Sequence, residues 1–156
     1  MGDLRTLRLL AAGERAVVEL YEAASRSHHL TTPVALWIAG ALANERDHEE
    51  TLRRVAAPAR LAPAAAGGSS RASVARVLGR ALAVETALLG AYLGAVQSLR
   101  SPELRVTAAA IAANEAQHVA AIRHLLSGGP TPTTALPAPL APDRAIRALH
   151  VALRSA

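Results

Sequence analysis

Glu14, Tyr21 and the run Ala43-Asn44-Glu45-Arg46-Asp47-His48 are answered roughly seventy residues later by Glu85, Tyr92 and Ala113-Asn114-Glu115-Ala116-Gln117-His118. Each Glu-x-x-His places a carboxylate and an imidazole one turn apart on the same helical face. With the two lone glutamates, the set is Glu14, Glu45, His48, Glu85, Glu115 and His118. These are oxygen and nitrogen donors suited to a pair of divalent first-row cations, and they do not form a closed structural zinc site. All six lie in apolar segments, where a carboxylate is costly unless something pairs with it. Four such charges repel strongly, and two divalent cations cancel them.

Apolar residues recurring at three- and four-residue steps predict four long helices to carry these groups. The first runs from about Asp3 to Ser27 with a seam of Leu4, Leu7, Ala11, Glu14, Val18 and Tyr21. Thr32-Pro33 starts the second as capping residue and first-turn proline, and its seam is Ile38, Ala41, Glu45, His48, Leu52 and Val55. The third carries Val74, Leu78, Ala81, Glu85, Leu88, Tyr92, Ala95 and Leu99. Ser101-Pro102 repeats the cap-and-proline start. The fourth helix, with Leu104, Ala108, Ile111, Glu115, His118, Ile122 and Leu125, stops at Gly128-Gly129-Pro130. Every candidate ligand falls on its helix's apolar seam, while Glu19, Glu22, Asp47 and Glu50 fall off the seams and read as surface. At about 1.5 Å per residue, Glu14 stands about 22 Å before its hairpin turn and Glu45 to His48 about 18 to 23 Å after it. Glu85 and Glu115 to His118 repeat those depths in the second hairpin, so the six side chains can meet at one level. A Pro/Gly/Ser-bearing connection from Ala57 to Ser70 is long enough to run the length of the bundle.

The fold expected is therefore all-α: a four-helix bundle of two duplicated helical hairpins with a long crossover over residues 1–129, then a Pro-rich linker and short C-terminal helix over 130–156. Asp143 is the expected N-cap of that last helix, which packs back on the bundle or a neighbour or acts as a tethered tail. Among the other histidines, His28 and His29 suit the C-terminal end of the first helix, and His124 and His150 read as surface. Trp37 reads as a core or interface anchor.

The chain has 156 residues, no Cys, no Phe and one Met, and its 17 basic residues are all Arg. Cysteine nucleophiles, thiolate metal sites and disulfides are thereby excluded. With the four seam glutamates turned inward, the surface is strongly basic, which is either a habit of Arg-rich composition or a field for an anionic partner. No stacking aromatics accompany the arginines as single-stranded nucleic acid binding would require. Neither a long uninterrupted apolar run nor a leader pattern is present, so the expectation is a cytoplasmic protein with no membrane association.

Leu9-Leu10-Ala11-Ala12-Gly13-Glu14 with Tyr21, taken with the paired Asn-Glu-x-x-His runs, resembles the ferritin-like di-iron carboxylate superfamily, bacterioferritins and rubrerythrins in particular. The resemblance spans roughly residues 4 to 126. It implies Glu14 and Glu85 as terminal ligands, Glu45 and Glu115 as bridges, and His48 and His118 each completing one coordination sphere. It implies two Fe ions, with Mn or a mixed Mn/Fe pair as the alternative, and O2 or peroxide as the reacting partner in a homo-oligomer. Asn44 and Asn114 stand where relatives often have Asp and either orient ligands or bond locally on the helix flank; Tyr21 and Tyr92 bond a ligand carboxylate, relay an electron, or are simply buried with their hydroxyls satisfied. Arg46 stands where a haem-binding Met would fall, and the Cys-ligated iron domain of rubrerythrin is absent. The function expected is a ferroxidase or peroxidase-type oxidoreductase. The alternatives are an oxidase or oxygenase acting on a small anionic metabolite or RNA, and a non-enzymatic metal-binding or structural bundle.

Overall fold

A computed structural model describes residues 2–26, 29–56, 74–129 and 135–154. Five helices account for nearly all of them: α1 (Gly2–Ser25), α2 (Thr32–Arg53), α3 (Val74–Ser98), α4 (Pro102–Ser127) and α5 (Pro142–Arg154). Their boundaries follow local chemistry. Ser101 accepts a hydrogen bond on its hydroxyl from Leu104 N at 3.2 Å and so caps α4. At the other end Gly128 adopts the left-handed conformation (φ 68°) and donates its N–H to His124 O. In α2 the cap moves one residue from its expected place: Thr31 holds the extended position without a side-chain bond, and Thr32 is already helical. α1 ends at Ser25, so His29 lies beyond the helix in an exposed turn and not in its last turn as expected; His28 lies outside the described residues. The expected connection from Ala57 to Ser70 also lies outside them.

α1 pairs with α2 and α3 with α4 as hairpins, and the hairpins join through α1 against α3 and, more sparsely, α2 against α4. Asp3, in the first turn of α1, accepts from the backbone N–H groups of Arg100 and Ser101. That contact sets the start of α1 beside the end of α3, so the two run antiparallel. The core between them is Leu, Ala, Val and Ile, with Tyr21 and Tyr92 as its largest members. Most expected seam residues are in it; Leu4 and Val55 are exposed, Val55 because α2 has already ended. α3 touches α1, α4 and α5 and must be apolar on most of its circumference. By length and composition it could cross a bilayer, but most of its apolar window is buried in the bundle.

α5 lies on α3 and α1, covering the face opposite α2 and α4. Its N-terminal acceptor is Ala141 O, which receives Arg144 N and Ala145 N, while Asp143 pairs with Arg5 at 2.6 Å and does not cap. Arg80 donates to Leu153 O at 2.7 Å and ties the far end down. The approach is made close by glycine: Leu140 N donates to Gly90 O at 2.8 Å, and a Cβ on Gly94 would collide with the Leu140 backbone. Gly94→Ala is therefore expected to lower stability by about 1–3 kcal/mol through forced displacement of that backbone. Gly40→Ala, in a helix position with nothing nearby, should be neutral or stabilising by up to about 1 kcal/mol. Thermal denaturation of both variants checks the contrast.

Candidate metal centre

Antiparallel packing brings the middle of each long helix to one level, and all six candidate residues converge there. Glu14, Glu45, Glu85 and Glu115 are fully buried and His118 nearly so, while His48 keeps a small exposed edge. His48 Nδ1 stands 3.0 Å from Glu115 Oε1, 3.6 Å from Glu45 Oε2 and 3.7 Å from Glu14 Oε2. His118 Nδ1 stands 2.7 Å from Glu45 Oε1, 3.6 Å from Glu85 Oε1 and 3.8 Å from Glu115 Oε2. Glu45 and Glu115 each turn one oxygen toward each histidine. Two groups of four result, Glu14-Glu45-His48-Glu115 and Glu45-Glu85-Glu115-His118, with ligand atoms within 4.8 Å of one another in each.

Close approach here is not hydrogen bonding. Both Nδ1 atoms, both oxygens of Glu45 and of Glu115, and Glu14 Oε2 and Glu85 Oε2 are buried without a hydrogen-bond partner. Buried polar atoms are ordinarily satisfied. Lone pairs converging on a common space with no donor between them suit a shared cation, and the oxygen and nitrogen set fits divalent first-row metals.

A ferritin-like domain model matches residues 2–128. The chain belongs to the ferritin-like family. Comparison with curated proteins finds no match. As a ferritin-like bundle, this chain keeps the helical hairpins and the buried carboxylate and imidazole cluster that the sequence pattern anticipates.

Within this ferritin-like site the neighbours are as ordered as the six. Tyr21 donates its hydroxyl to Glu85 Oε1, and Tyr92 donates to Glu14 Oε1. Each tyrosine thus serves the other hairpin's glutamate, an exchange that follows from α1 and α3 running antiparallel. Burial, and then the carboxylate charge beside each, pushes both phenols well above their ordinary range, which keeps them donors. Asn44 meets His118 Nε2 through its amide Nδ2 at 3.3 Å, on the side of the ring turned away from the carboxylates. Asn114 has a buried Oδ1 with no partner. Trp37, read from sequence only as an anchor, stands edge-on to Tyr21 at 5.5 Å and to His118 at 6.3 Å. Of the outlying histidines, His124 is exposed and bonds Gly129 O, whereas His150 is half-buried, against the expectation of a surface residue.

Without a cation the cluster must hold protons. Burial raises Glu14 and Glu115 well above the usual carboxylate range, and a neighbouring carboxylate raises each further: Glu45 for Glu14, Glu85 for Glu115. Burial opposes the charge on Glu45 as well, but the two imidazoles override it and hold that group at about 2. For the imidazoles burial pulls down, yet the carboxylates win, lifting His48 to about 10 and His118 to about 9. Folding of the metal-free chain therefore takes up protons at Glu14, Glu115, His48 and His118. Where the folded state binds more protons, stability falls as pH rises. The histidine contribution is whole below the unfolded value near 6.5 and is lost through 9 to 10. The melting temperature of metal-free protein is expected to fall steadily from pH 7 to pH 10, and calorimetry across that range checks it. Tyr21→Phe, which strips Glu85 of its donor, should cost about 1–3 kcal/mol, read by chemical denaturation.

Proposed function

We propose that this ferritin-like chain is a di-iron carboxylate protein that couples oxidation of Fe(II) to reduction of O2 or peroxide. The observation that carries this reading is the sharing of Glu45 and Glu115 between two buried four-residue groups whose facing atoms have no other partner. Glu14 and His48 would complete one metal position, Glu85 and His118 the other. A bound pair of irons supplies one-electron steps at adjacent centres, which the side chains of this protein alone cannot.

The chain's own residues supply position, charge and dryness. Tyr21 and Tyr92 fix the rotamers of Glu85 and Glu14, and Asn44 fixes the ring of His118. Leu10, Ile38, Leu88 and Ile122, all fully buried, keep bulk water from the surrounding core. The four carboxylates offset the charge of two divalent ions, leaving the buried site neutral. The protons held by the metal-free cluster must leave as ions bind, so affinity rises with pH and loading acidifies the medium.

An oxygenase acting on an anionic metabolite or RNA is less well supported. The open groove beside His48, about 510 Å3 in volume, has Asp47 and no Arg in its lining, so it offers an anion no guanidinium to pair with.

Anaerobic titration with Fe(II), with iron per chain as the readout, tests the proposal, followed by O2 consumption. Wild-type protein should take up two irons per chain and then consume O2. Glu115→Gln is isosteric with the protonated carboxyl that burial favours, so it should fold while weakening uptake of both ions by at least about tenfold. Glu14→Gln should weaken one position only. A folded wild-type chain that takes up no Fe(II) overturns the proposal and leaves a structural bundle.

A further inference from the structure

The two Asn-Glu-x-x-His runs face each other across the bundle, yet what stands in front of their histidines differs. Counting back equally from His48 and His118 pairs Trp37 with Thr107. Trp37 reaches across from α2 and sets its ring edge-on to His118, backed by Tyr21. Thr107, the residue of α4 in the matching place, lines the groove that contains His48. Where one histidine faces a large indole, the other has a side chain of three heavy atoms at the matching position, and a groove lies beside it. The side-chain exposures agree, at 12% for His48 against 6% for His118.

The groove runs between α2 and α4, the sparsely packed pair of the bundle. Its lining is polar at the helix flanks, with Asn44, Asp47, Thr51, Thr107 and Asn114, and His48 forms part of its wall. Asp47 is exposed and stands one residue from His48. Several other surface carboxylates are engaged, Glu19 with Arg15, Glu22 with Arg46, Glu50 with Arg53 and Arg54, and Asp143 with Arg5, and Glu49, which is not, lies outside the groove lining. Asp47 has no ion pair among the described residues. In a chain of formal net charge +5, an unpaired carboxylate beside the more exposed edge of the cluster marks the local place where a cation is attracted. Asn114 Oδ1, buried without a partner and in the same lining, adds a neutral oxygen deeper along the way.

We propose that divalent cations reach the cluster from one side only, through the groove between α2 and α4, with Asp47 as the capturing carboxylate, Thr107 as the opening and Trp37 as the plug on the His118 side. The inference rests on the reading of the cluster as a divalent-metal site. Ions are received at the Glu14-His48 end, and the position at Glu85-His118 fills by way of the shared Glu45 and Glu115. Thr107 and Asp47 are positioning and access residues and hold no metal in the filled site.

Co(II) uptake, followed by stopped-flow visible absorption beside equilibrium titration, tests the proposal. Thr107→Phe fills the groove and Asp47→Asn removes the capturing charge. Both should keep the wild-type number of Co(II) ions at equilibrium. Thr107→Phe should slow association by about tenfold or more. Asp47→Asn should slow it about two- to tenfold and flatten its dependence on ionic strength. Trp37→Thr should open the second side and speed uptake. Association of Co(II) with Asp47→Asn or Thr107→Phe at the wild-type rate and salt dependence overturns the one-sided port while leaving the metal site standing. Asp47 is exposed, so its variant remains decisive if filling the groove disturbs folding. A wild-type chain that takes up no Co(II) overturns the metal reading, and the port with it.

Discussion

Four carboxylates in the middle of an apolar bundle constrain everything else in this protein. Such charges repel one another in a medium that screens poorly, and each has lost its water. The chain answers with two imidazoles, two phenol donors and a geometry that leaves the remaining oxygens facing a common space. Packing then has to serve that geometry. The four long helices must be in register to within a turn, which is why their ends are tied by Asp3 against the α3–α4 turn and by the cap at Ser101. On the far face the segment at Leu140 presses against Gly90 and Gly94, and α5 closes over α1 and α3.

Much of this was legible in the sequence because helical periodicity and ligand spacing speak the same language. Glu45 and His48, three residues apart on an apolar seam, could face nowhere but inward, and the depths of Glu14 and Glu85 from their turns placed them at the same level. The all-α bundle and the convergence of the six side chains follow from those facts alone. Helix ends were read less well. Thr31 and Thr32 are both acceptable caps, and only the backbone decides between them; α1 ends at Ser25, short of His29.

What stayed hidden depends on how elements face one another. Tyr21 and Tyr92 lie seven residues from Glu14 and Glu85 on their own helices, which suggests partnership within a helix. Antiparallel pairing of α1 and α3 crosses those partnerships. Trp37 against His118, the groove beside His48, and the half-burial of His150 likewise arise from contacts between helices with no short-range signal. The glycines at 90 and 94 did carry one, a four-residue spacing on α3, but its meaning required knowing that the backbone around Leu140 lies over them.

The crossed Tyr–Glu bonds bear on how the chain reaches its native state. A solitary α1–α2 pair would leave Glu14 facing water without the phenol that meets it in the bundle, and a solitary α3–α4 pair would do the same for Glu85. Each half acquires the donor for its buried carboxylate only when the other half docks, so the two gain order together. Cooperativity is in this sense written into two hydroxyl groups, and the cluster at mid-bundle exists only once the two hairpins have met.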